Sequence, residues 1–413
     1  MQKTEQPLTN TQLGSAASTR LVSLDALRGF DMFWILGADG LVQALNHMAP
    51  NWATHFLATQ LDHVAWNGFH FYDLIFPLFV FIVGVSLVFS LTKLIQKEGR
   101  ASALKRVFLR GCALYLLGIF YYGGFSKVWP NIRMTGVLPL IAAAYFFAGL
   151  AFCFLRWRGL AALYAGLLLG YWLALAWVPF PDVRPVPGGD LAITKETGFT
   201  NVAQLNLAST NLLRGVYLPG VNLANYVDQK YLPGFKWNGT WDPEGMLAVF
   251  PATAACLLGV LAGLLLQTQT VPDRRKVQWL LAGGAVAVVV GFTLNLTLPI
   301  IKSIWSSSFV VVAGGYSAIL LGVFYWVVDL QQHRRWCQPL VWIGMNPITL
   351  YLACNLLNDY KLVSERLVGG DIKAFLENHL AQGSGELVVT LTSLLVAIWL
   401  ARFLHMKKIF LRV

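Results

Sequence analysis

The chain has 413 residues, 56% of them hydrophobic and only 12% charged, about half the charged share usual in a soluble domain. Its mean hydropathy of +0.58 excludes an ordinary soluble globular protein, which needs far more charge to cover a surface of this size. The net charge of +11 does not point to nucleic acid, because the basic residues fall in short clusters between apolar segments and form no long stripe.

Residues 1–20 are polar and lack the basic start, apolar stretch and small-residue cleavage site of a secretory signal, so they are expected to be a disordered cytoplasmic tail. Apolar runs long enough to cross ~30 Å of hydrocarbon lie near 24–46, 73–95, 104–122, 134–155 and 158–178. Five more lie near 245–267, 277–298, 306–330, 338–358 and 386–405. These predict an all-α polytopic membrane protein of about ten transmembrane helices, forming a single domain over 21–413. An even count puts both termini on one side, and 20 of the 31 basic residues lie on that side, in the tail, the C-terminus and the even-numbered connections. Cytoplasmic loops concentrate Lys and Arg, so both termini are expected in the cytoplasm. The connection 47–72 and the long loop 179–244 are then periplasmic. That loop carries Tyr217, Tyr226, Phe235, Trp237 and Trp241, which read either as interfacial anchors or as a surface on which a sugar ring stacks. The five cysteines form no C-x-x-C pair, so neither a disulfide framework nor a thiolate metal site is expected. Phosphate-binding loops, zinc-protease motifs and nucleophile elbows are absent from the sequence, and no metal is implied.

The first span holds four ionisable residues, Asp25, Arg28, Asp31 and Asp39, in fifteen positions. Each costs ~3 kcal/mol at mid-membrane, so the helix face bearing them must meet protein or water. On a straight helix Asp25, Arg28 and Asp39 fall within about 60° of one another, with Asp39 ~21 Å beyond Asp25. Asp25 and Arg28 can pair at the cytoplasmic end, either as an inert structural pair or as part of a site. The following stretch puts His63, Trp66 and Asn67 at the periplasmic mouth and Asp73 at the start of the second span. Histidine suits proton transfer near neutral pH, and a neighbouring Asp39 or Asp62 could orient its ring.

The two stretches, S-L-D-x-L-R-G and H-x-x-W-N-G-x-x-x-x-D-L-I-F-P, resemble the heparan-α-glucosaminide N-acetyltransferase family, a branch of the transmembrane acyltransferases. Gly136-Val137-Leu138, Trp241-Asp242-Pro243-Glu244-Gly245, Gly344-Met345-Asn346 and Lys407-Lys408-Ile409-Phe410 continue the likeness in family order. The large lumenal domain of animal members has no counterpart in the chain, Asp39 stands where they carry an Asn, and the loop from it to His63 is longer. The resemblance implies a multi-pass enzyme of a bacterial inner membrane. It would transfer acetyl from cytoplasmic acetyl-CoA to the amine of a glucosamine-type sugar on the far side. His63, with Asp39, would be catalytic, as general base or transient acetyl carrier. Arg28, Asp25, Lys407 and Lys408 would serve the donor, while Trp66, Asn67, Asp73, Asp242, Glu244 and Asn346 would contact the acceptor. For the asparagines, helix–helix bonding is at least an equal reading, and for Asp242 helix capping is the favoured one. The expected partners are the lipid bilayer, acetyl-CoA and an amino sugar, with a homodimer as the candidate assembly and no nucleic acid. Similar bacterial membrane proteins are linked to N-acetylglucosamine use, so a transporter in which Asp39, His63 and Arg28 relay protons is the alternative.

Overall fold

The computed structural model describes residues 21–184 and 202–411, so the expected tail at 1–20 and part of the 179–244 loop lie outside the described residues. The chain is a mostly helical polytopic membrane protein. Seven helices are long and apolar enough to cross a bilayer: Phe71–Glu98, Val137–Phe154, Trp157–Trp177, Met246–Gln267, Asp273–Leu294, Ser307–Leu330 and Ser384–Met406. The other three expected spans are helical too, and each departs from a plain apolar helix for a physical reason.

The first is α1 (Val22–Phe33) joined to α2 (Asp39–Met48) through a π-helical turn at Trp34–Ala38, where Gly37 has φ 101°. Positive φ is open to glycine at little cost, and the extra residue in the turn re-aims everything beyond it. After the short α3 (Trp52–Gln60) and the long α4 (Ile75–Glu98), α5 (Arg100–Tyr121) carries Arg100, Lys105, Arg106 and Arg110 along its first half. Helices α6 (Val137–Phe154) and α7 (Trp157–Trp177) follow. The third departure is the break at Asn346 between α12 (Gln338–Met345) and α13 (Pro347–Leu356), where Pro347 cannot continue the hydrogen-bond ladder.

Between α7 and α9 (Val249–Gln267) the described part of the long loop is packed. Phe180–Pro181 pairs antiparallel with Leu212–Leu213, and α8 (Leu223–Tyr231) is capped by the Asn222 side chain on Asn225 N. Buried Phe180, Val183, Leu205 and Val221 close against Tyr171, Ile301 and Ile304, giving this face a small core of its own. The main core lies between α4, α5, α6, α9 and α11 (Ser307–Phe324), with α10 (Asp273–Leu294) against α11. Helices α4 and α9 cross closely: a Cβ on Gly84 would lie 2.0 Å from Cys256 O, and one on Gly259 2.0 Å from Phe81 O. Small residues at such a crossing let backbones approach where apolar lipid supplies no hydrophobic drive to associate. Helices α14 (Lys361–Val368), α15 (Asp371–His379) and α16 (Ser384–Met406) complete the chain. The face bearing 47–72, 179–184 and 202–244 is the loop face, and the other, bearing the basic clusters, the basic face.

Candidate active site

At the loop face, the segment between α3 and α4 is folded around one carboxylate. Asp73, 1% exposed, accepts from His70 N at 3.1 Å and Val64 N at 3.4 Å through Oδ2, while its Oδ1 stands 2.9 Å from His63 Nδ1. The same segment is tied down by Trp66 Nε1 donating to Tyr217 O at 2.7 Å and Gly68 N to Ile300 O at 2.9 Å. Lys302 completes the cluster, with Nζ 2.8 Å from His63 Nδ1, 3.1 Å from Nε2 and 3.4 Å from Asp73 Oδ1. Nδ1 cannot both donate to Asp73 and accept from Lys302. The buried carboxylate holds the Nδ1–H tautomer, which leaves Nε2 as the acceptor. Burial pushes the Lys302 ammonium below the usual lysine range, against the charges of Asp73 and Glu244.

Beside it a second network shapes the wall. Arg133, 4% exposed, forks onto Asp242 through Nε at 2.8 Å and Nη2 at 2.7 Å, and Nη2 also reaches Glu244 at 2.7 Å. Its guanidinium lies between Tyr122 at 4.4 Å and Trp237 at 4.9 Å. Burial opposes its charge, but the bond to Asp242 and the two carboxylates more than offset that and hold it protonated. Glu244 is pushed up to about 7 by burial and the Asp242 charge, with Arg133 and Lys302 pulling the other way.

Two cavities meet at this cluster, and a third adjoins one of them. An outer one of 750 Å³ is lined by His63, Trp66, Arg133, Trp237, Trp241, Glu244 and Lys302. A small middle one of 220 Å³ shares His63, Glu244, Lys302 and Tyr351 with it and, Tyr72 apart, is otherwise apolar, walled by Met32, Ile35, Ile75, Phe76, Phe79, Leu138 and Ile141. An inner one of 880 Å³ shares Phe79, Leu138, Ile141, Pro347 and Ile348 with the middle cavity and opens among Arg28, Lys105, Arg106 and Arg110 at the basic face. Arg28, Met32 and Ile35, spaced i, i+4 and i+7, line this route from the basic face to its middle. Arg28 is fixed by Asp25 at 3.2 Å, Gly344 O at 3.1 Å and Ser86 Oγ at 2.6 Å. That bond to Gly344 exists because α1 and α12 cross on two glycines: a Cβ on Gly29 would lie 1.7 Å from Leu340 O, and one on Gly344 1.9 Å from Asp25 O.

No family model matches the sequence. Two curated relatives are similar to it, both named heparan-alpha-glucosaminide N-acetyltransferase. The human protein is 25% identical over 436 aligned residues, covering 97% of this chain and 61% of its own length. The mouse protein is 26% identical over 336, covering 72% of this chain and 49% of its own length. The chain is a homologue of the heparan-α-glucosaminide N-acetyltransferases. It spans about half to three-fifths of the length of these curated relatives.

Set beside the expectations drawn from the family likeness, the structure brings His63, Glu244 and Trp66 together at one cavity, with Asp73 behind His63, and changes several assignments. The acid on His63 is Asp73, not Asp39 or Asp62. Asp39 lies beyond the π turn, close to Tyr72, and the Tyr72 ring lies 4.8 Å from the His63 ring. Asp242 is spent on Arg133, Trp237 N and Glu244 N, behind the cavity wall. Asn67 pairs through its backbone with Ile301 and is not part of the three linings. Asn346, 1% exposed with its amide unpartnered among the described residues, sits between Met345 and Pro347 at the inner cavity without lining it. Lys407 and Lys408 are exposed and line none of the three cavities. The basic face of the route is instead supplied by Lys105, Arg106 and Arg110, which sequence reasoning had counted only as topology signals. Lys302 was missed altogether, since a lone Lys in a loop has no local pattern to betray it. Arg110 with Lys105 and Arg106 did leave a trace: four basic residues in an otherwise apolar helix, Arg100 included, are more than a topology signal needs.

Proposed function

We propose that the chain is an inner-membrane N-acetyltransferase that moves acetyl from cytoplasmic acetyl-CoA to the amine of a glucosamine-type sugar at the periplasmic side. The loop face is then periplasmic and the basic face, with both termini, cytoplasmic, within one domain over 21–413. The observation that carries the reading is the line of three adjoining cavities, basic at one end, mostly apolar and small in the middle, and aromatic and charged at the other. That order matches the parts of the donor and acceptor. The inner cations suit the nucleotide phosphates, which Arg binds in a fork and Lys as a point charge. The middle cavity suits the thin pantetheine arm, and the outer cavity offers Trp237 and Trp241 to a sugar ring and Glu244 to its amine.

Chemistry follows at the junction of the middle and outer cavities. Glu244, poised near 7, takes a proton from the bound ammonium so that a neutral amine attacks the thioester carbonyl carbon. His63 Nε2 takes the proton released as the C–N bond forms, with Asp73 holding Nδ1–H and stabilising the imidazolium. Lys302, whose Nζ stands 3.1 Å from Nε2 in the empty site, turns from that nitrogen when the substrates bind and donates to the developing oxyanion. The C–S bond then breaks, and the CoA thiolate leaves and is protonated from the imidazolium. If the acetyl rests on histidine first, Nε2 is the nucleophile, because Nδ1 faces Asp73.

The middle cavity also speaks against a sugar transporter. A sugar crossing it would strip several hydroxyls of water against Met32, Ile35, Phe76 and Phe79, and each unpaired hydroxyl costs on the order of 2 kcal/mol or more. Purified protein mixed with acetyl-CoA and glucosamine should release free thiol, and His63→Ala should abolish the release. Labelled sugar entering proteoliposomes without any acetyl donor would overturn the enzyme reading.

A further inference from the structure

A fourth cavity, of 1160 Å³, opens at the basic face between the ends of α4 and α9 and the starts of α5 and α7. It shares no lining residue with the three-cavity route, so it is not an extension of the candidate active site. Arg100, Arg156 and Arg158 line it, and no carboxylate does. None of these three arginines makes an ion pair with a carboxylate among the described residues. Below them the cavity is floored by Phe152, Leu160, Leu261 and Leu264, and exposed Trp157 and Trp279 flank its mouth. Arg158 stacks on Trp157 at 5.4 Å, which pins one cation at the level where tryptophans mark the membrane interface. Helices α5 and α7 both begin here, after Gly99 and Arg156, and neither start is closed by a side-chain cap, so unmet backbone N–H groups add to the positive field.

We propose that this cavity binds an anionic phospholipid of the cytoplasmic leaflet, its phosphate among Arg100, Arg156 and Arg158 and its first acyl carbons on the apolar floor. Three guanidinium groups with no carboxylate partner among the described residues, above an apolar floor, form an amphipathic site, matched to a ligand with a phosphate at one end and hydrocarbon at the other. A basic pocket between membrane helices at the leaflet that carries the anionic lipids is in contact with that ligand at all times. A soluble nucleotide would use the phosphate end and leave the hydrocarbon floor bare, and this separates the two sources experimentally.

The test uses the full chain in detergent, with native mass spectrometry reading adducts of phosphatidylglycerol and phosphatidylcholine. Phosphatidylglycerol should be retained in preference to phosphatidylcholine, and the Arg100→Gln/Arg156→Gln/Arg158→Gln variant should hold it on the order of 100-fold more weakly. Unmodified protein gives an independent reading should that variant fail to fold. Cys153 lines the cavity and is 4% exposed, so its modification by a small maleimide, mapped by peptide mass spectrometry, should be slower in phosphatidylglycerol nanodiscs than in phosphatidylcholine ones. Equal retention of the two lipids, equal Cys153 labelling in the two nanodiscs, or displacement of phosphatidylglycerol by coenzyme A would each overturn the proposal.

Discussion

Replacing Asp73 by Asn tests the orientation of His63 without removing any atom of the ring. The carboxylate accepts on both oxygens: Oδ1 faces His63 Nδ1 at 2.9 Å, and Oδ2 faces His70 N at 3.1 Å and Val64 N at 3.4 Å. An amide cannot accept on both sides. If its oxygen stays on His63, its NH₂ points at two backbone N–H donors, and that mismatch costs about 1–3 kcal/mol of stability. If it flips to satisfy the backbone, the NH₂ faces Nδ1 and drives the proton to Nε2, where it blocks the base. The second arrangement relieves two contacts at the expense of one, so it should prevail. A wrong histidine tautomer of this kind costs ~10⁴ in kcat in the serine-protease triad. A loss of roughly 10²–10⁴ in kcat is therefore expected here, with KM for acetyl-CoA unchanged because the inner cavity is untouched. The assay is thiol release at saturating donor, beside a melting curve of the same sample. Asp39→Asn is the control, since Asp39 meets Tyr72 rather than the ring, and it should cost less than about tenfold. A folded Asp73→Asn enzyme turning over at the wild-type rate would refute the argument, as would a collapse of kcat in Asp39→Asn alone.

Arg133→Met should lower stability by about 3–5 kcal/mol, because it strands the buried Asp242 and Glu244 carboxylates; an unchanged melting temperature would show that the fork is idle. Asp228, 2% exposed, is pushed up to about 7 by burial from an ordinary 3.8, so the folded state binds its proton more tightly than the unfolded one. Its stabilising effect is complete below the unfolded value and is lost as pH rises through 7, so Tm should fall between pH 5 and 8, and Asp228→Asn should flatten that slope; Tm profiles that run parallel would contradict it. Neutralising Lys105, Arg106 and Arg110 together to Gln should raise KM for acetyl-CoA by about tenfold or more while the folded fraction holds, and an unchanged KM would move the donor elsewhere. Ile141→Trp, at the junction of the inner and middle cavities, should cut kcat while coenzyme A still binds in an equilibrium titration, since the indole fills the passage and not the phosphate site; full activity would close the conduit hypothesis.

Much of the architecture was legible because a bilayer imposes strong rules. Long apolar runs became helices at the expected places, and the seven that meet the length and hydropathy of a span all coincide with predicted ones. What the pattern could not carry was a change of helical phase. Extrapolating a straight helix put Asp39 on the stripe of Arg28, whereas the π turn at Trp34–Ala38 and the positive φ of Gly37 re-aim α2 toward Tyr72. Nothing in the sequence around Gly37 marks it as the point where the ladder breaks rather than one that merely eases a close contact. The same residue type did the opposite at Gly29, where absence of a side chain lets α12 lie against α1.

The site shows the complementary lesson about charge. His63 and Asp73 lie ten positions apart on one short segment and could each be singled out in the sequence, but their pairing could not, because Asp39 and Asp62 were the acids expected beside the ring. Lys302 arrives from 239 positions away, and no periodicity connects it to His63. Its place is nonetheless required by the electrostatics around it. Asp73 is buried and Glu244 nearly so, and carboxylates at the edge of an apolar cavity need cations close by to stay charged at neutral pH. Arg133 is already committed to Asp242 and Glu244, which leaves Asp73 with a histidine that is neutral in its working tautomer. A second cation was therefore called for, and the segment before α11, which the backbone pairing of Asn67 with Ile301 holds beside His63, is the one that supplies it. Lys302 is thus as much a condition for an ionised Asp73 as a candidate in catalysis, and Lys302→Met should impair the orientation of His63 even if the oxyanion finds another donor.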